Sequence, residues 1–182
     1  KRRVLFRDKG DFEGLEKVDD CLYAIKSDGD LYAVSGWERD KIRYKKYETG
    51  LTKADDVEGL GYDSKRKALL IACKGDPDSA TLRPVFAFDL RTKKLNPEPV
   101  YTIDPLEVNA RVPYGEDDKK HYFSSSGVAI HPITGEVYVI STALKRLVVL
   151  DYETGAIREV ARLNKQLLPQ PEGITFDIEG NL

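Results

Sequence analysis

Four segments of this chain open alike: Glu13-Gly14-Leu15-Glu16, Glu58-Gly59-Leu60-Gly61, Ser126-Gly127-Val128-Ala129 and Glu172-Gly173-Ile174-Thr175. Each leads into short stretches of alternating apolar and polar residues. Self-similarity at a period of tens of residues constrains a fold more tightly than composition does. Each copy is one supersecondary unit that buries its faces only against its neighbours. The restarts at 13, 58, 126 and 172 are spaced 45, 68 and 46 residues apart. A four-stranded propeller blade takes about 40–50 residues. Two intervals match one blade, and the middle one is a blade plus an insertion at about 104–124.

The third unit shows the internal plan most clearly. Strands are predicted over Ser126–His131, Glu136–Thr142, Arg146–Asp151 and Ala156–Leu163, with turns at Pro132-Ile133-Thr134-Gly135 and Glu153-Thr154-Gly155. The second unit repeats it with Gly59–Tyr62, Ala68–Cys73, Val85–Leu90 and Pro99–Ile103. In the first unit the strands are Gly14–Val18, Cys21–Lys26, Asp30–Ser35 and Lys41–Tyr47, with an Asp28-Gly29 hairpin signal between the second and third. A fourth unit begins with a strand at Ile174–Phe176, and Arg3–Arg7 reads as the last strand of an earlier blade. The expectation is an all-β chain: one β-propeller domain over 1–182, or a piece of one, with about three whole four-stranded antiparallel blades plus partial ones.

Composition excludes several classes. A formal net charge of −2 gives no global case for nucleic acid. No apolar run reaches the roughly 18–20 residues that span a membrane. The chain begins at Lys1 and contains no Met, which fits a processed or trimmed chain. Cys21 and Cys73 lie in apolar strand patterns and read as small buried hydrophobes, not as a disulfide framework. The basic stretch Lys41-Ile42-Arg43-Tyr44-Lys45-Lys46-Tyr47 alternates as an edge strand with a charged face, with a weak polyanion patch as the other reading. The insertion, with Pro105, Pro113, Gly115 and the run Glu116–His121, reads as a decoration or a lid over one face.

Asp11-Phe12-Glu13-Gly14-Leu15, Glu58-Gly59-Leu60-Gly61-Tyr62-Asp63, Ser126-Gly127-Val128-Ala129-Ile130-His131-Pro132 and Gln170-Pro171-Glu172-Gly173-Ile174-Thr175-Phe176-Asp177 together resemble the SdiA-regulated (YjiK-like) family of bacterial β-propellers. The resemblance covers nearly the whole chain outside the insertion. It implies a six-bladed pattern, of which about two blades are missing here. It also implies an exported, periplasmic or membrane-associated setting. The function it implies is a poorly defined binding or scaffold role toward an unknown small molecule or protein.

In a propeller the first strand of each blade lies nearest the axis. Glu13, Glu58 and Glu172 are therefore expected at the channel mouth, with Ser126 in the equivalent place of the third unit. The glycine after each suits crowded inner strands, where a side chain would clash. Clustered carboxylates cannot all stay ionised and unpaired. Three resolutions are open. Each Glu is latched by backbone N–H groups or by a basic side chain such as Lys26 or Lys74, which lie near the ends of second strands. Alternatively Glu13, Glu58 and Glu172 hold a calcium ion. In the third, one Glu with raised pKa works as a general acid or base. The alternative function is that of a calcium-dependent lactonase- or esterase-like hydrolase with its site at the propeller axis. Such propellers hold their metal with a Glu plus Asn and Asp from other blades, and no Asn begins an inner strand here. No nucleophile elbow, zincin helix, P-loop or dinucleotide fingerprint is present.

Overall fold

The computed structural model describes residues 9–39, 41–115 and 121–182; the strand expected at Arg3–Arg7 lies outside them. Three antiparallel sheets follow one another along the chain. The first contains β1 (Phe12–Val18), β2 (Cys21–Lys26), β3 (Asp30–Ser35) and β4 (Arg43–Glu48). The second contains β5 (Val57–Asp63), β6 (Ala68–Cys73), β7 (Arg83–Asp89), β8 (Lys94–Leu95) and β9 (Tyr101–Ile103). The third contains β10 (Gly127–Ile130), β11 (Val137–Ser141), β12 (Arg146–Leu150) and β13 (Ile157–Arg162). Each sheet is a meander whose first four strands pair in chain order, as a propeller blade requires, and in the second sheet β9 returns to pair with β7.

The blades stack through their first strands: β1 lies beside β5, and β5 beside β10. The repeat glycines make this possible. A Cβ on Gly14 would lie 2.6 Å from Leu60 Cβ, and one on Gly59 would lie 3.1 Å from Gly127 Cα. A Cβ on Gly127 would in turn lie 3.1 Å from the Glu172 carbonyl oxygen. Each restart thus abuts the next.

The core lies between blades. Ile25, Leu31, Val57, Leu69, Ile71 and Phe88 fill the first interface, and Leu70, Val85, Ile103, Val128, Val139 and Val148 the second. β6 is buried along its whole length because alternate side chains serve the two interfaces. Truncating Leu69 or Leu70 to Ala would cost about 2–5 kcal/mol.

The hairpins at one end share a device that the turn residues alone did not reveal. Asp63, Asp89 and Asp151 each accept, through one carboxylate oxygen, the backbone N–H groups two and three residues ahead. His131 Nδ1 does the same for Ile133 and Thr134. The residue four positions on has positive φ in every case: Lys67, Lys93, Gly135 and Gly155. This repeated spacing was readable in the sequence.

Three expectations need correction. Ile174–Phe176 carries no strand. Inner strands elsewhere pair with the second strand of their own blade, and Ile174–Phe176 has no such partner among the described residues. The fourth strand of the second unit is split: Asn96 and Val100 both donate to β7, and 97–99 bulge out between β8 and β9. The insertion is not merely a loop. It contains α1 (Pro105–Arg111), capped by Asp104, with Pro at its start and Val108 fully buried. No disulfide forms: Cys21 and Cys73 are both free. Burial pushes the Cys73 thiol up to about 12, so it stays protonated.

Candidate functional site: the mouth of the inner strands

The meander fixes which connections share an end. The starts of β1, β5 and β10 lie at the same end as the ends of β2 and β6, the 74–82 connection and the residues entering β10. At this end Glu13 and Glu58 are half-buried and close enough to repel. Lys74 Nζ donates to Glu58 Oε1 at 2.5 Å, which supplies one latch of the expected kind. Glu13 has a different environment. Partial burial, then the charges of Glu58 and Asp11, then a hydrogen bond with Asp11 push its carboxyl up to about 7; only Lys74 opposes them. Glu13 and Glu58 thus share the field of the Lys74 ammonium, and Asp11, beside Glu13, lines a cleft together with Lys9, Lys26 and Lys53.

The other expected residues are dispersed. Lys26 is buried, with its ammonium 5.6 Å from the Phe12 ring centre and 5.1 Å from that of Tyr32. Ser126 is buried and donates to the Pro171 carbonyl at 2.6 Å, and Thr142 Oγ1 donates to the same oxygen at 2.8 Å. In the third unit a neutral hydroxyl thus ties the inner strand to the entry of the fourth. The Glu172 side chain is exposed. Among the described residues no three His, Cys, Asp or Glu side chains converge as a metal-ion site. With an ammonium on Glu58, this donor set does not fit a bound calcium ion.

Residues that the sequence did not single out build the rest of this face. Arg83 is fully buried and fans its guanidinium over backbone carbonyls: Nε to Phe123 at 2.7 Å, Nη2 to Asp76 at 2.7 Å and Ser79 at 2.6 Å, and Nη1 to Thr81. Burial lowers its pKa, but guanidinium remains charged because its ordinary value is so high. Tyr122 N–H donates to the Pro77 carbonyl at 2.7 Å and Ser124 Oγ to the Gly75 carbonyl at 3.0 Å. His121 Nδ1 lies 2.9 Å from Asp78 Oδ1. The 74–82 connection and the returning limb of the insertion thus form one stitched rim. A lone buried Arg at a strand start was the only signal for it, and Arg at position 83 looks unremarkable beside Pro84 in sequence.

The opposite end is locked by a second group. Asp63 is fully buried and takes Arg66 Nη1 at 2.8 Å and Tyr152 Oη at 3.0 Å. Arg66 also donates to Tyr101 Oη at 2.9 Å, and Tyr101 Oη donates to the Tyr152 carbonyl at 2.9 Å. The Arg66 guanidinium lies 4.2 Å from the Tyr152 ring centre. Residues of the second blade clamp a hairpin of the third.

The comparisons agree with this architecture. The solved structure of U3-55K superposes with a TM-score of 0.53 at 16% identity, over 90% of this chain and 42% of that one. A luciferin-regenerating enzyme gives 0.54 at 14% identity, over 86% and 46%. The Cps50 (Swd1) β-propeller domain of Myceliophteria thermophila gives 0.52 at 13%, over 95% and 47%. At these identities the likeness shows the fold alone, and the chain spans less than half the length of each. No curated protein matches. The family model described as SdiA-regulated matches residues 2–182. The chain is a β-propeller chain, and it belongs to the SdiA-regulated family.

Proposed function

We propose that the mouth face is the ligand-binding surface of a non-catalytic propeller module that works outside the cytoplasm, in the cell envelope. The reading rests on one observation: Glu13 and Glu58, from neighbouring blades, repel each other at the mouth, and the ion pair that Lys74 makes there goes to Glu58. Such a face suits a ligand that brings ammonium groups or hydrogen-bond donors. Either would relieve the repulsion that raises Glu13. The rim held by Arg83 frames it on the insertion side. The envelope setting is carried by the family's resemblance to exported propellers. No helix among the described residues is long and apolar enough to cross a membrane.

The test is a titration of the protein with spermidine and, separately, with Ca²⁺, followed by carboxyl chemical shifts. Spermidine is expected to shift the Glu13 and Asp11 signals in wild type and to leave E13Q largely unmoved. If Ca²⁺ alone shifts them, raises the melting temperature and switches on hydrolysis of a lactone or ester, the module reading fails and a metal-dependent hydrolase replaces it. If neither titrant shifts them, the mouth is not the ligand surface.

A further inference from the structure

At the outer rim, two lysines from different blades converge on one tyrosine. The Lys45 ammonium lies 5.0 Å from the Tyr47 ring centre, and that of Lys93 lies 6.0 Å from the same centre. Lys93 Nζ also donates to Tyr23 Oη at 3.3 Å. Lys93 is placed by the positive-φ end of the β7–β8 hairpin, at φ 58. Lys45 and Tyr47 belong to β4. Tyr47 packs tilted against Phe88, with ring centres 5.7 Å apart, so the two blades are in contact here.

Strand alternation puts Arg43 on the same face as Lys45 and Tyr47, and their partners on β3 are Ser35, Ala33 and Leu31. Leu31 lies in the interface between the first two blades, so this face of β4 turns toward the second blade. Lys46 sits on the other face and is paired with Asp30 at 2.7 Å. Among the described residues, none of Arg43, Lys45 and Lys93 has a carboxylate within ion-pair reach. Like charges held around one ring without a counter-charge repel, and an anion placed among them is stabilised.

The shape of the patch selects among anions. Arg43 and Lys45 are two residues apart on an extended strand, which spaces them about 6.7 Å along it. Carboxylates at alternate positions of an extended peptide have the same spacing. The outer edge of β4 has no strand partner among the described residues. A segment laid along it would gain backbone hydrogen bonds together with the charge pairs. We infer that the β4 edge and the tip of the β7–β8 hairpin form a docking site for an acidic, extended polypeptide segment, with carboxylates at alternate positions facing Arg43 and Lys45.

The test uses the whole chain and a short fluorescent peptide alternating Glu with Thr. Its controls are a peptide of the same composition with the glutamates in one block, a heparin fragment, and phosphatidylglycerol vesicles. The alternating peptide is expected to bind at least about tenfold more tightly than the block peptide. R43E/K45E, whose changes are at exposed positions and should leave the melting temperature nearly unmoved, is expected to lose this binding. The same variant should gain affinity for an alternating Lys–Thr peptide. Equal binding of alternating and block peptides, or of heparin, would reduce the patch to unspecific charge and overturn the inference. Capture by vesicles without peptide binding, an unchanged R43E/K45E variant, or no peptide binding at all would overturn it too.

Discussion

Glu13 carries the clearest consequence at the scale of single residues. Its carboxyl is held up to about 7, from an ordinary value of 4.5. Between those two pH values the folded state binds more proton than the unfolded chain, so this group makes stability fall as pH rises through the window. Replacing it with a neutral isostere should remove that slope. E13Q is expected to gain about 1 kcal/mol at pH 8 and almost nothing at pH 4, as measured by urea unfolding at the two pH values. The position of Glu13 was legible in the sequence, because the repeat marks the first residue of each inner strand. Its hydrogen bond to Asp11 in place of a lysine latch was not. Lys26, in β2, lies opposite Phe12, but its counterpart opposite Val57 is Cys73, and Lys74 lies one position beyond β6. The one-residue offset turns the two lysines to opposite faces, so Lys74 meets Glu58 while Lys26 lies over Phe12 and Tyr32.

Among the elements, the stitched rim depends most on one side chain. Arg83 donates to carbonyls of both the 74–82 connection and the residues entering β10. R83M is expected to leave those carbonyls without a donor and to cost about 2–4 kcal/mol. Hydrogen exchange should quicken across 75–82 and 121–124, whereas protection in β11 and β12 should hardly change. R83K keeps the charge but loses the fork, and should fall between the two. The strands themselves were readable because alternation and turn chemistry agreed: β2, β3 and β6 have the bounds expected of them. Agreement failed where local signals were mixed. Asn96-Pro97-Glu98-Pro99 removes donors inside a strand and splits it. Asp104-Pro105 is a helix start that a search for strands passes over.

For the molecule as a whole, stability lies in the contacts between blades. The apolar interfaces were foreseeable from alternation, but the polar clamp of Asp63, Arg66, Tyr101 and Tyr152 was not, since its members span the sequence from 63 to 152. Y152F should cost about 1 kcal/mol, and D63N more, because Asp63 is buried and pairs with the Arg66 guanidinium. A double-mutant cycle between the two is expected to show coupling of about 0.5–3 kcal/mol in thermal unfolding, and additivity would mean the blades are not joined there. The mouth face is likewise a property of two blades together: Glu13 belongs to the first and Glu58 to the second, and the charge of Glu58 helps to raise the Glu13 carboxyl. The direct measurement is a carbon-13 titration of the Glu13 carboxyl in wild type and in E58Q. A midpoint near 7 in wild type that falls in E58Q is the expected result; a midpoint near 4.5 in both would contradict the gathering of inner-strand carboxylates at one mouth.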